Sequence, residues 1–478
     1  MKTKMDKRIK PLFDKYIRSK FLYEGYVRLD KSLYKTIDEW NSENELKLIN
    51  EIYRYIASLY SSNQECLCGI EDHFRKFFLK YVAENNTKNL EIKKIGESDY
   101  IFDHTRVKVY VVKSVSKYIK LLSKYKAEEN LFFRGQSNSN FLLQPSIIRE
   151  DIWRKNEKRM FDELERLCPK EFQGMNSILD KLVEMQHYNL PTRLLDVSSN
   201  ALVALLFACQ DFESDGEVII FKEKRNKNPL AKMEETNIRY GHSDSVSLLT
   251  GISQMNYEDQ LLLYYIAEFF RKLVKSDRPL ESWFNKKDGT DKWDSEINLI
   301  LEKVYKNKYT ISNILCGNKI DARVDSSILQ LNELKKEYES NAKKNSWALK
   351  NQIKNFNSID VVKRLYRQVQ REKPYFECRI VPQDVCNILF VKPSMLNQRI
   401  VKQSGAFIIV GAMEADKSDI VCRLNNYRYR KEDIAPIFII PSIYKKRILN
   451  ELKLCDLHTA SIYPEIEKVA EYIKKTIE

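Results

Sequence analysis

The chain has 478 residues, of which 43% are hydrophobic and 11% aromatic, which excludes a disordered protein and allows two or three domains with packed cores. Lysine and arginine outnumber aspartate and glutamate by 81 to 67, so the formal net charge of +14 favours a partner that carries phosphate, such as nucleic acid or a nucleotide. Codon bias is an alternative source of the same lysine excess, so the net charge does not decide whether nucleic acid is a partner.

The cysteines and the apolar windows bear on the compartment. Nine cysteines are scattered without the regular spacing of a disulfide scaffold, so we expect reduced thiols. The opening MKTKMDKRIKPLF has no apolar run like that of a signal peptide, and no window approaches the roughly 18 apolar residues of a membrane span. We therefore expect a cytoplasmic protein without a membrane partner, whose oligomeric state the sequence leaves undetermined.

The first elements predict two regions. Residues 1–104 are predicted to form a separate helical region, because apolar residues such as Ile49, Ile52 and Ile56 recur at helical intervals. From Arg106 onward Val107, Val109 and Val111 alternate with polar residues, which predicts a strand and the start of a second domain, residues 105–478.

Within this second domain we predict short strands and apolar helices in turn. Leu131 to Phe133 is predicted as a strand that ends at Arg134, and a helix should run until Pro191 breaks it. Residues 225–375 are predicted to be a mainly helical insertion. The remaining predicted elements are a short strand within Thr192–Ser199, a core helix at Ala201–Cys209, and strands at Glu217–Phe221, Asn387–Val391, Ala406–Val410 and Pro436–Ile440. Together they predict an α+β fold with a mixed β-sheet.

The motif Phe133-Arg134-Gly135 has the chemistry of an anion site. The planar fork of Arg134 suits a phosphate or a carboxylate, and Gly135 allows a ligand or another strand to approach the backbone. Gln136 opens a polar loop that could add hydrogen bonds. The alternative is a structural ion pair between Arg134 and a carboxylate.

The stretch HYNLPTRLLDVSSN, beginning at His187, is the second candidate. His187 could carry a proton near neutral pH, although a core histidine is an equal interpretation. Thr192 and Ser198 could cap the following helix and so contribute to an anion site, a role that requires no catalysis. Arg193 could bind the same anion or pair with Asp196, three residues along.

Five blocks in order resemble the FRG domain family from about residue 105 to the C-terminus. They are FFRGQS with QPSIIR, HYNLPTRLLDVSSNALVALLFAC, SDSVSLLTGISQMNYEDQ, RIVKQSGAFII, and IIPS with IYPEIEKVAEYIKK. Members of that family are bacterial and phage proteins, and the resemblance implies a role in defence against phage.

A more distant resemblance is to ADP-ribosyltransferases. It implies a mixed sheet of that type, NAD as a substrate, and catalytic positions at Arg134, Ser198 and Gln403, with His187 as a further candidate. It also implies that Arg134, Gly135, Gln136, Thr192 and Arg193 contact NAD, and it requires no metal. This sequence departs from the pattern because Gln403-Ser404-Gly405 lacks the glutamate of the third motif. Candidate replacements are Glu377 and Glu414.

Three functions follow from these patterns. The first is an ADP-ribosyltransferase-like defence effector that transfers ADP-ribose to a macromolecule or hydrolyses NAD. The second is a non-catalytic module that recognises nucleic acid or a phage protein. The third, a metal-dependent nuclease, has the least support, because the chain has no DxD, HxH or HExxH cluster with the spacing of metal ligands.

Overall fold

The computed structural model divides the chain into two compact units, residues 1–110 with 430–437 and residues 111–429 with 438–478. It describes residues 93–94, 99–102, 105–125, 130–139, 141–223, 225–227, 234–275, 291–312, 322–340, 349–395, 397–414, 417–429 and 436–477.

The described part of the first unit is an antiparallel meander of β1 (Lys93–Lys94), β2 (Asp99–Phe102) and β3 (Thr105–Val111), each paired with the next. The prediction of a strand at β3 is confirmed. The prediction of helix is wrong for β1 and β2, since the aromatic and β-branched run Tyr100–Phe102 favours an extended chain. The rest of the predicted helical region lies outside the described residues.

The second unit contains a mixed sheet. Its first three strands are β4 (Leu131–Gln136), β5 (Leu194–Ser198) and β6 (Gly216–Lys222). The next two strands, β7 (Arg225–Lys227) and β8 (Glu234–Thr236), form a separate two-stranded ribbon. The other strands of the sheet are β9 (Ile238–Tyr240), β10 (Ile388–Lys392), β11 (Gly405–Val410) and β12 (Ile437–Ile440). The order across the sheet is β12-β6-β4-β5-β11-β10-β9, and each neighbouring pair is antiparallel except β9 with β10. The predicted α+β class is confirmed.

Helices pack around this sheet, and those of residues 244–372 form most of one layer. In chain order they are α1 (Val115–Leu122), α2 (Asp151–Lys155), α3 (Glu157–Leu167), α4 (Ile178–His187), α5 (Ala201–Ala208), α6 (Asp244–Gly251), α7 (Tyr257–Lys275), α8 (Lys292–Ser312), α9 (Ala322–Ser340), α10 (Leu349–Ser358), α11 (Asp360–Glu372), α12 (Pro382–Val385), α13 (Gln398–Gln403), α14 (Lys417–Asn425), α15 (Ser442–Lys453), α16 (Thr459–Ile462) and α17 (Ile466–Ile477). No helix in these described ranges is long and apolar enough to cross a membrane.

The sheet is buried on both faces. Side chains of successive strand residues point to opposite faces. On β11, Phe407 and Ile409 therefore join a core with the helical layer, while Ala406 and Ile408 join a second core on the other face. Strands buried in this way are continuously apolar, as the sequence of β11 is.

Two local predictions need correction. The sequence pattern did not predict β7, β8 and β9, which precede the helices within residues 225–375, and β9 belongs to the main sheet. Strands of three residues are too short to show the alternation that identifies a strand. The N-cap of α5 is Asn200, which accepts a hydrogen bond from the backbone N–H of Leu202 at 2.9 Å, instead of Thr192 or a serine.

Candidate functional site

The sheet opens between β4 and β5. Strand β4 pairs with β6 along its whole length, from Leu131 to Gln136, and β5 pairs with β11 from Leu194 to Ser198. Between β4 and β5, however, the one register pair is Phe133 with Ser198. Past this pair the two strands no longer form a regular ladder, so groups of both strands become available for other contacts.

Arg134 occupies this opening. The residue lies inside β4, so the prediction that the strand ends at Arg134 is wrong. Its Nη1 donates a hydrogen bond of 2.6 Å to the carbonyl oxygen of Asp196, and it lies 3.9 Å from the carboxylate oxygen Oδ2 of the same residue. The guanidinium thus satisfies a strand carbonyl that a regular antiparallel ladder would pair with a backbone N–H.

The environment of Arg134 suits a further anionic ligand. The side chain is 14% exposed, and its Nε is buried without a hydrogen-bond partner in the described part of the chain. Burial lowers the pKa of the guanidinium to about 10, while Asp196 raises this pKa and the charge of Arg149 lowers it. A buried donor that lacks an acceptor is unfavourable, and a ligand oxygen would remove that cost.

Ser198, on β5, lies next to Gln403, the last residue of α13. The hydroxyl of Ser198 donates to the carbonyl oxygen of Gln403 at 2.7 Å and accepts from the backbone N–H of Asn200 at 2.9 Å. The side-chain amide of Gln403 donates to the carbonyl oxygen of Ile462 at 3.1 Å. Because Phe133 pairs with Ser198, and Ser198 with Gly405, the structure brings the three predicted motifs onto adjacent strands.

Gly135 has a packing role that explains why this position carries no side chain. A Cβ atom on Gly135 would lie 1.9 Å from the carbonyl oxygen of Ala204 and 2.7 Å from the amide nitrogen of Ala208, both in α5. Glycine is therefore required for the contact between strand and helix, which replaces the predicted contact with a cofactor. Gln136 is 4% exposed, and its Oε1 is buried with no hydrogen-bond partner among the described residues.

Arg193 is a structural residue instead of the predicted cofactor contact. It is completely buried, and its Nε donates to Oε1 of Glu157 at 2.8 Å. Its Nη1 donates to the carbonyl oxygens of Val410 and Gly411 at 3.2 and 3.3 Å. The predicted pair of Arg193 with Asp196 is also wrong, because Arg193 pairs with Glu157 while Asp196 lies beside Arg134.

Thr192 is 1% exposed and acts through its neighbours. Its hydroxyl accepts a hydrogen bond from the backbone N–H of Leu194 at 3.2 Å and donates to Oε1 of Gln186. The Nε2 of Gln186 in turn donates to Oδ1 of Asp196. Thr192 is thus linked to the opening at Arg134 through Gln186 and Asp196, in place of the predicted direct contact with a cofactor.

The described contacts of His187 lie away from Arg134. Its Nδ1 is 3.0 Å from the amide nitrogen of Asn397 and 3.7 Å from a carboxylate oxygen of Glu184. The proximity of His187 lowers the pKa of Glu184, against the effect of burial. Asn397 caps α13 through a bond to the N–H of Arg399, so these contacts join α4 to α13 and give His187 a structural place.

Neither predicted replacement carboxylate contacts Arg134. Glu414 binds Lys303 at 2.6 Å and follows the Val410 end of β11, opposite the end that pairs with Ser198. Glu377 pairs with Arg379 and lines a separate cavity of about 580 Å³ with Asp244 and Tyr375. The carboxylate beside Arg134 belongs instead to Asp196.

Gln186 and Arg149 were not predicted as site residues, and Asp196 was assigned a different partner. Arg149 ends the block QPSIIR that contributed to the family resemblance, and this was the available signal for it. Gln186 carried no signal, because its importance depends on the position of α4 against β5.

The fold and this opening define the molecule as an α+β protein with a largely buried arginine where its sheet opens. Residues 129–217, which include Arg134, Ser198 and the whole of β5, match the family model of the FRG domain. No curated protein and no solved structure matches the chain.

Proposed function

We propose that the opening at Arg134 binds the pyrophosphate of NAD, and that the protein is an anti-phage effector that transfers ADP-ribose to a macromolecule or hydrolyses NAD. The observation that carries the proposal is the buried Nε of Arg134, a donor without an acceptor in the described residues, at a position where the sheet opens. Guanidinium groups bind phosphate oxygens with short, charge-assisted hydrogen bonds.

The neighbouring motifs support the same proposal. Ser198 lies on β5, the strand beside β4, and its hydroxyl donates to the carbonyl oxygen of Gln403, the last residue of α13. The order of the three motifs along the chain is the one that the resemblance to ADP-ribosyltransferases implies. The side chain of Gln403 donates to Ile462, so the part of both residues in the site is to fix its shape. The FRG domain over residues 129–217 is the basis for the proposed role in defence.

Arg134→Lys tests the proposal while keeping the positive charge. Incubated with NAD, nucleic acid and an extract of infected cells, the wild-type protein should release nicotinamide, and the variant should release it about 100-fold more slowly, because lysine lacks the planar fork. Chromatography of nicotinamide measures the rate, and calorimetric titration with NAD measures binding.

Arg166→Lys is the matched control, because Arg166 makes an exposed pair with Glu163 on α3 and the variant should keep the wild-type rate. Circular dichroism establishes that both variants are folded. Absence of nicotinamide release and of NAD binding in the wild-type protein would contradict the proposal, as would equal rates for Arg134→Lys and wild type.

A second candidate is recognition of nucleic acid or a phage protein without turnover, which the formal net charge of +14 supports. Binding of nucleic acid should then weaken steeply as salt increases. It should persist in Arg134→Lys, and nicotinamide should not be released. The nuclease hypothesis gains no support, since the described ranges contain no group of at least three His, Cys, Asp or Glu side chains placed to hold a metal ion.

A further inference from the structure

Asp196 is an exposed carboxylate that is nevertheless held in place. Its side chain is 60% exposed, yet Oδ1 accepts a hydrogen bond from Gln186 and its backbone carbonyl accepts one from Arg134. The other carboxylate oxygen, Oδ2, lies 3.9 Å from Arg134, which is too far for a hydrogen bond. Exposed side chains usually exchange between rotamers, so the hydrogen bond from Gln186 to this surface carboxylate indicates that its position matters.

The hydrogen bonds also determine which atom of Gln186 faces Asp196. The backbone N–H of Leu194 donates to the hydroxyl oxygen of Thr192, and the proton of that hydroxyl is then available for Oε1 of Gln186. With Oε1 accepting from Thr192, the amide nitrogen of Gln186 faces Asp196 and donates to Oδ1. This donor fixes the orientation of the carboxylate.

The carboxylate oxygen Oδ2 of Asp196 therefore has no hydrogen bond from Gln186 or Arg134, and it lies beside Arg134 at the opening. Glu377 and Glu414 are held elsewhere by Arg379 and Lys303. Asp196 thus supplies the negative charge that the third motif lacks, from a different strand.

We propose that Asp196 is the catalytic carboxylate of the site, with Gln186 as its positioning residue. This inference rests on the proposed function. The bond between the ribose anomeric carbon and the pyridinium nitrogen of NAD breaks, and both electrons leave with neutral nicotinamide. The ionised carboxylate stabilises the oxocarbenium ion that forms. A hydroxyl oxygen of water or of the acceptor forms the new bond to carbon, and its proton passes to Asp196 and then to solvent.

Asp196→Asn tests the role of the charge, because asparagine keeps an acceptor for Gln186 and the backbone carbonyl for Arg134. We expect kcat for nicotinamide release to fall about 100-fold, while KM for NAD stays within about threefold. Gln186→Met should lower kcat less, at the same KM, because the carboxylate remains but is held less firmly. Asp162→Asn is the matched control on an exposed aspartate of α3 and should have wild-type kinetics.

The outcomes separate the two proposals. Wild-type turnover with equal kcat in Asp196→Asn overturns the role of Asp196 and leaves the use of NAD intact. A rise in KM at constant kcat also overturns it, since the residue would then contribute to binding alone. If Arg134→Lys and the wild-type protein both fail to bind NAD or release nicotinamide, the proposed function fails, and the role of Asp196 fails with it.

Discussion

Gly135→Ala should destabilise the protein by more than about 3 kcal/mol, or prevent folding, because the added methyl group has no space. Its Cβ would lie 1.9 Å from the carbonyl oxygen of Ala204 and 2.7 Å from the amide nitrogen of Ala208. Both atoms belong to the backbone of α5, so no side-chain rotation relieves the overlap, and strand and helix must separate. Soluble yield and the midpoint of urea unfolding measure the effect.

Gly405→Ala, on β11 of the same sheet, is the matched control. A Cβ at Gly405 would have its nearest atoms at 3.5 Å, in Ile400, which is ordinary van der Waals contact. The free energy of unfolding should therefore change by no more than about 1 kcal/mol. Equal destabilisation by the two substitutions would show that contact with α5 is not the reason for Gly135.

Arg193→Met should lower the free energy of unfolding by about 3–5 kcal/mol, because it leaves the buried carboxylate of Glu157 without its partner. The two side chains are 0% and 3% exposed. The substitution also removes the donor for the carbonyl oxygens of Val410 and Gly411, where β11 ends. Chemical denaturation followed by circular dichroism measures the loss.

Lys158→Met provides the comparison on the surface of α3, the helix that carries Glu157. Lys158 pairs there with Asp162, and both side chains are substantially exposed. That change should cost about 0–1 kcal/mol. Adding Glu157→Met to Arg193→Met should restore part of the lost stability, since apolar side chains can replace a buried ion pair. A single Arg193→Met variant as stable as Lys158→Met would contradict the structural role of the pair.

The sequence predicted the elements whose local pattern is strong. Alternation at Val107, Val109 and Val111 identified β3, and the apolar run from Ala201 identified α5, none of whose residues is exposed. The strands β10, β11 and β12 lie within one residue of their predicted bounds. In these segments the apolar pattern and the final burial agree, so local information was sufficient.

The partners of the charged residues were beyond the reach of local patterns. Arg193 is 36 residues from Glu157, and Arg134 is 62 residues from Asp196. Spacing along the chain suggested instead that Arg193 pairs with Asp196, because only the packing of α3 against the sheet brings Glu157 into place. The candidate site was therefore predicted at the level of its motifs, while the pairing within it required the fold.

The strand order has a consequence for how the FRG domain can be isolated. Residues 129–217 contain β4, β5 and the start of β6, but the outer neighbours of β6 and β5 are β12 and β11, which come from the last quarter of the chain. A fragment cut at the limits of the match would lose β11 and all but two residues of β6, so one edge of β5 and one edge of β4 would face solvent, and such edges pair with other molecules. The matched segment is thus a unit of sequence similarity, whereas the unit that folds must extend at least to the strand at residue 440.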